Sequence, residues 1–235
     1  MKKQNKPITQ FKFLRTVNKS INENIVWKLN RWVKVDGELK MNKNGLHSCE
    51  DPYDSFAHDH GEILAIVECR GDHIKEGNEY CWREQRVVKT YELTKKDFLG
   101  LAIFSAGLCL KNFEKKLPDD KRPREAIEAA KMVLLKDTKK NRIAAESAAD
   151  FAWYAISAAS FFTGSFYSSA SFAASSAWFA ALSAYRDVEY ASWCASLAVS
   201  FALSSAQFAR SQGVTVKKIK NYFRQIVREK EKQKD

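Results

Sequence analysis

The stretch from Ile143 to Arg210 constrains this chain most, because Ala, Ser and aromatic residues displace nearly everything else there, and one charged cluster, Arg186 to Glu189, interrupts its second half. Ala recurs at 144, 148, 152, 155 and 159, at 170, 173, 177, 180 and 184, and at 191, 195, 198, 202, 206 and 209. Steps of three and four are the period of a helix. In the last segment Tyr190, Cys194, Leu197, Phe201 and Phe208 form a second, bulkier stripe. A stripe of Ala lets a neighbouring backbone approach closely, and Ser hydroxyls can return a hydrogen bond to the preceding turn. The stretch therefore predicts tightly packed helices. Nothing between Arg186 and Tyr190 breaks a helix, yet an unbroken rod of about 45 residues would span about 66 Å, so a break is expected there.

Two uncharged runs, Phe151 to Tyr185 and Tyr190 to Ala209, raise the question of a membrane, since about 20 apolar residues cross a bilayer. Their composition is Ala and Ser rather than Leu, Ile and Val, which favours a water-surrounded bundle over insertion. A basic N-terminus without a following apolar run does not resemble a signal peptide. Five Cys, at 49, 69, 81, 109 and 194, are odd in number and carry no paired motif, which fits a reducing cytoplasm.

The first part of the chain follows a different pattern. Ile8 to Val17 and Ile25 to Val35 read as strand or extended segments, and Glu62 to Arg70 as the clearest strand. Asp36–Gly37 and Asn44–Gly45 are turn signals. Asp51 to Asp59 predicts a short helix with Pro52 in its first turn, and Leu46 to Cys49 reads as a turn leading into it. Tyr80 to Leu93 predicts a strand pair or one long bent strand. At Thr94 helical features begin: Thr94 and Asp97 have capping-box spacing, Pro123 suits a first turn, Asp137 or Thr138 can cap the next helix, and Thr163–Gly164 can end it. A further helix is expected from near Ser165, and a last one from about Thr215. The fold class is thus α+β: a β-rich domain over residues 8–93, then an Ala-rich all-α bundle over 94–230 that ends in a basic helix.

Catalytic signals are sparse. His47, His58, His60 and His73 cluster near Cys49, Cys69 and Cys81, but at no standard zinc spacing. Cys49 with His47, or Ser48 with His60 and Asp59, can be written as nucleophile pairings that spacing alone does not organise. There is no phosphate-binding glycine loop and no helical HExxH. No metal or cofactor is expected. A net charge of +11 points instead to acidic partners. The basic tracts are Lys2–Lys6, Lys111–Arg124, Lys136–Arg142 and Lys217–Lys234. Several sit at helix ends, where cations favour the C-terminus. Helical phasing from Val216 to Val227 separates an apolar face from one bearing Lys217, Lys218, Lys220, Arg224 and Arg228. These five, with Lys121, Arg122 and Arg124, are the candidate contact residues, and the scarcity of interleaved aromatics favours backbone or protein contact over base stacking.

Two segments carry resemblances. LPDDKRPREAIEAAKMVLL, Leu117 to Leu135, with the Ala-rich helices after it, resembles a bacterial family of immunity proteins. GLHSC at Gly45–Cys49 and EILAIVECRG at Glu62–Gly71 resemble an uncharacterised domain of phage and prophage proteins that is often joined to Ala- and Ser-rich repeats. The helices here are richer in Phe, Trp and Ser than the immunity pattern. The resemblances imply a phage or mobile-element origin and inhibition by binding. Taken with the charge, they lead to the expectation of a non-enzymatic protein that uses a basic surface to inhibit a bacterial defence nuclease or nucleoprotein complex, as anti-CRISPR proteins do. The partner is then a host protein or nucleoprotein, with RNA or DNA backbone as a further contact. The alternatives are a nucleotide-binding or transferase-like enzyme in the N-terminal domain with the bundle as an oligomerisation scaffold, and a membrane-associated helical protein.

Overall fold

The computed structural model describes residues 7–15, 19, 25–165 and 167–233. The basic tract at Lys2–Lys6 and the expected end of the first strand at Thr16 and Val17 lie outside them. The chain forms two compact units, one of residues 1–93 with 227–235 and one of 94–226.

The first unit is an antiparallel sheet of five strands: β1 (Ile8–Leu14), β2 (Val33–Lys34), β3 (Leu46–Cys49), β4 (Ile63–Glu76) and β5 (Glu79–Glu92). β4 and β5 form one long hairpin, with irregular register at Ile66/Val67 and Arg70/His73. The expected strand at Glu62–Arg70 thus runs on to Glu76. The sheet curls until it closes on itself. β1 pairs along β4, β3 pairs with β5 from Leu46↔Trp82 to Cys49↔Glu79, and Phe11↔Cys49 joins β3 back to β1. Leu46–Cys49, expected as a turn, is therefore a strand. Of the extended segment expected at Ile25–Val35, only β2 joins the sheet, at Val33↔Gln85 and Lys34↔Glu84. Leu14, Trp27, Leu46, Ala65, Val67, Cys69, Trp82 and Val87 form the core. On the outside, the guanidinium groups of Arg70 and Arg86 lie over Trp32 at 3.9 and 4.9 Å and also pair with Glu84 and Glu68.

Polar side chains tie the curl together from within. Ser48 Oγ donates to Gln10 Oε1 at 2.6 Å, Trp82 Nε1 donates to the same oxygen at 2.9 Å, and Gln85 Nε2 donates to Ser48 Oγ and the Leu46 carbonyl, both at 2.8 Å. An indole N–H can only donate and a carbonyl can only accept, so the orientation of both amides follows from the chemistry. Each amide spends one end only: Gln10 Nε2 and Gln85 Oε1 have no partner among the described residues. The helix α1 (Pro52–His58) follows β3, capped by the Asp51 carboxylate on the Tyr53 N–H at 2.9 Å. Its Phe56 packs on Phe13 of β1, ring centroids 5.2 Å apart.

The second unit comprises α2 (Lys95–Glu114), α3 (Arg122–Leu135), α4 (Lys139–Thr163), α5 (Ser169–Tyr185), α6 (Val188–Phe208) and most of α7 (Gln212–Lys232). Their starts follow the local signals. Thr94 and Asp97 make the reciprocal capping box, Pro123 occupies the first turn of α3, and Thr138, Ser168 and Asp187 accept hydrogen bonds from the first turns of α4, α5 and α6. The expected break falls at Arg186–Asp187. Gly164 caps α4 in the left-handed conformation, whereas α6 is followed by Arg210 at φ +58° and Gly213 lies inside the first turn of α7. α5 starts at Ser169 rather than near Ser165, and α7 at Gln212 rather than Thr215.

α5 lies at the centre, packed on α2, α3, α4 and α6. Its alanines at 170, 173, 177, 180 and 184 are fully buried, as are those at 152, 155 and 159 of α4 and at 191, 195, 198 and 202 of α6. Several Ser hydroxyls bond back to their own helix, as at Ser105→Leu101 and Ser160→Ile156, both at 2.8 Å. Others cross between helices: Ser176 Oγ donates to the Ala198 carbonyl and Ser205 Oγ to the Ser169 carbonyl, each at 2.7 Å. Side chains this short reach another backbone only because Ala keeps the helices close. Among the described residues, no helix is long and apolar enough to cross a membrane.

Candidate functional site

The charge excess is uneven. Residues 94–226 hold 19 Lys and Arg against 11 Asp and Glu, which is +8 of the chain's +11. Ion pairs already engage part of it. Arg122 binds Asp120 through Nε at 2.9 Å and Nη2 at 2.5 Å, and these bonds hold the Asp120 carboxyl below the usual carboxylate range. Arg124 binds Glu114 through Nε at 2.7 Å and Nη2 at 2.5 Å. Lys121 Nζ donates to the Pro118 carbonyl. These three expected contact residues therefore fasten the α2–α3 connection and the start of α3, and two of their charges are neutralised locally.

α7 presents the other expected residues differently. Ile219, Phe223, Ile226 and Val227 are buried, and the Tyr222 ring stacks on Phe104 of α2 with centroids 4.4 Å apart. Lys217, Lys218, Arg224 and Arg228 are exposed, while Lys220 is half-buried at the margin. Positions 217, 221, 224 and 228 follow the three- and four-residue step of one helix side. Among the described residues, Lys217, Lys218 and Arg228 enter no ion pair, and Arg224 Nη1 stands 3.5 Å from Asn221 Oδ1. These cations thus stand exposed on a helix whose opposite side is buried.

The first unit offers a polar cavity of 590 Å³, lined among others by Asn42, Lys43, His47, His58, Asp59 and Glu79. Its volume lies within the range of small-molecule sites. His47 stands on β3, and its Nε2 accepts the Asn42 N–H at 3.1 Å, so the proton of the neutral ring is on Nδ1. Asn44 Nδ2 closes the loop on the Asp36 and Glu38 carbonyls, both at 2.8 Å. Gly45 adjoins the cavity at φ +146°, and a Cβ there would stand 2.0 Å from the buried Cys81 Sγ. Only glycine fits. At the end of α1, His58 Nδ1 is 3.9 Å from Glu79 Oε2.

The pairings written from sequence do not assemble. Ser48 turns into the core network, away from His60, which is exposed at the end of the α1 loop. Cys49 is buried behind α1, and burial, reinforced by Glu79 and nearby aspartates, pushes its thiol up to about 12. The His73 ring lies against Trp82 with centroids 4.2 Å apart and planes tilted by 32°. Among the described residues, no group of three or more His, Cys, Asp or Glu is placed to hold a metal. Every residue of GLHSC thus serves the fold, with close approach at Gly45, core packing at Leu46, loop closure at His47, the internal network at Ser48 and packing against α1 at Cys49.

Residues 11–100 match the model of a family described as a domain of unknown function (DUF7666). The match spans the curled sheet and the first turn of α2, and leaves the rest of the helical unit outside it. No curated protein and no solved structure matches the chain.

Proposed function

We propose that this chain is a non-enzymatic binding protein that engages an acidic macromolecule, nucleic acid or nucleoprotein, through the exposed side of α7. The observation that carries the reading is the row Lys217, Lys218, Arg224 and Arg228, exposed on a helix whose other side is buried. The α3 residues drop out of this surface because Arg122 and Arg124 are already paired. The finer reading, a phage or mobile-element inhibitor of a bacterial defence nuclease or its guide RNA complex, is supported by the resemblances of GLHSC, EILAIVECRG and LPDDKRPREAIEAAKMVLL together with this cationic row. Five buried Cys outside any disulfide support a reducing compartment such as the cytoplasm. Reversing the four cations to Glu and measuring capture from bacterial lysate, with and without nuclease treatment, tests the proposal. Loss of a specific partner is the expected result, and unchanged capture would reject the surface.

A second reading, a small-ligand or transferase-like site in the sheet unit, is favoured by the cavity that His47, His58 and Glu79 all line. Binding of nucleotides that survives charge reversal on α7 and is lost in Glu79→Gln would support it.

A further inference from the structure

The outer side of α4, α5 and α6 has a character opposite to that of α7. No Lys, Arg, Asp or Glu occurs from Phe151 to Tyr185 or from Tyr190 to Ala209, in a chain that is 29% charged. Across these three helices aromatic rings touch in series. Trp153 of α4 meets Trp178 of α5 at 4.6 Å, Trp178 meets Phe179 at 4.5 Å, and Phe179 meets Trp193 and Phe201 of α6 at 5.8 and 5.5 Å. The series continues from Phe201 through Phe172 to Phe208. It is not covered: Trp153 is 50% exposed, Trp193 40%, Phe208 56%, Tyr167 74%, and Tyr154 and Phe161 on the exposed side of α4 are 61% and 83%. Large aromatics scattered singly need no explanation, whereas a contiguous set this exposed marks an interface.

The charge pattern selects the occupant. Within these two stretches a charged partner finds no counter-charge; the nearest charges are Asp150, one turn before Trp153, and Arg186, over the Tyr190 ring. Two copies meeting by most other surfaces would bring cations against cations, since the chain carries +11. A twofold contact requires a patch complementary to itself, and a charge-free aromatic face meets its own image without repulsion or a buried unpaired charge. The area suffices. With about 200 Å² per aromatic side chain, the six residues above leave about 700 Å² uncovered, close to the roughly 800 Å² per partner of a stable interface. We infer that the α4–α5–α6 face is where two copies of this chain associate, in a contact independent of the cationic row on α7.

Light scattering on the full chain at about 50 μM should give twice 26.8 kDa, unchanged between about 0.15 and 1 M NaCl because the contact is apolar rather than ionic. Trp153→Glu with Trp193→Glu sets like charges across the twofold at exposed positions, and should yield the single-chain mass with an unchanged far-UV spectrum. Should that variant fail to fold, Ser200→Glu, exposed on α6 two turns beyond Trp193, makes the same test with a smaller change. A wild-type chain that is monomeric at this concentration overturns the inference, as does a folded variant that keeps the doubled mass. A monomer that sediments with phosphatidylcholine vesicles overturns it in favour of lipid.

Discussion

Salt is the sharpest probe of the α7 row. Neutralising Z backbone phosphates releases condensed counterions, so log K falls against log[salt] with a slope of about −0.9Z on duplex DNA and about −0.7Z on single strands. On the proposed reading Z is at most about four, for the exposed Lys217, Lys218, Arg224 and Arg228, while Arg122 and Arg124 already hold carboxylates. With Z of about 4, the slope is about −3.6 on duplex DNA and about −2.8 on single-stranded RNA. Raising NaCl from about 50 to 200 mM then weakens duplex binding by about 150-fold and single-strand binding by about 50-fold. Fluorescence anisotropy with labelled duplex and single-stranded oligonucleotides measures both. Lys217→Gln with Lys218→Gln should lower the duplex slope by about 1.8, whereas Arg122→Gln with Arg124→Gln should leave it within about 0.5, because those guanidinium groups are spent within the fold. A wild-type slope shallower than about −1, or a larger change from the α3 pair than from the α7 pair, refutes the assignment.

Three further outcomes follow from local geometry. Gly45→Ala places a Cβ against Cys81 Sγ at a φ that side chains rarely adopt, and should cost about 2–5 kcal/mol in urea unfolding; Gly77→Ala, at φ +56° but with open space around it, should cost only the left-handed backbone strain of about 1–2 kcal/mol, and equal costs would sink the steric account. Burial pushes the thiols of Cys49, Cys69, Cys109 and Cys194 up to about 12 from an ordinary 9.0, so at pH 8 an aromatic disulfide reagent should react about a thousandfold more slowly than with an exposed thiol, and five thiols should titrate in guanidinium; a fast-reacting native thiol among these four would contradict it. Arg124→Ala should change stability by less than about 1 kcal/mol, since its pair with Glu114 is half exposed, and a cooperative loss of the fold on thermal melting would show that the pair does more.

The helical unit was largely legible because its signals are local. Thr94 with Asp97, Pro123, Thr138 and Gly164 each act within one turn, and the Ala period marks the buried side of α5, of α6 and of α4 from Ala152 onward; at the start of α4 it is Ala145 and Ala149 that are buried, not the expected Ala144 and Ala148, and Ala209, past the end of α6, is exposed. The sheet was less legible because its organisation is set by pairing between distant residues. Leu46–Cys49 is too short to show alternation and begins after a turn signal, and it becomes a strand only when β5 offers Trp82 to Glu79 as partners. Gln10 and Lys12 look like a solvated face on β1, and they lie inside because the curl closes over them. The contact residues fared according to the same distinction. Phasing alone separates the cations of α7 from Ile219 and Phe223, but nothing in the run from Lys121 to Arg124 reveals that Glu114, ten residues before Arg124, returns beside it. That Trp153 and Trp193 stand half exposed was not legible for a related reason. The Ala stripe fills the seams between helices so completely that the large rings are displaced to the outside, where an uncharged segment becomes a surface rather than a core.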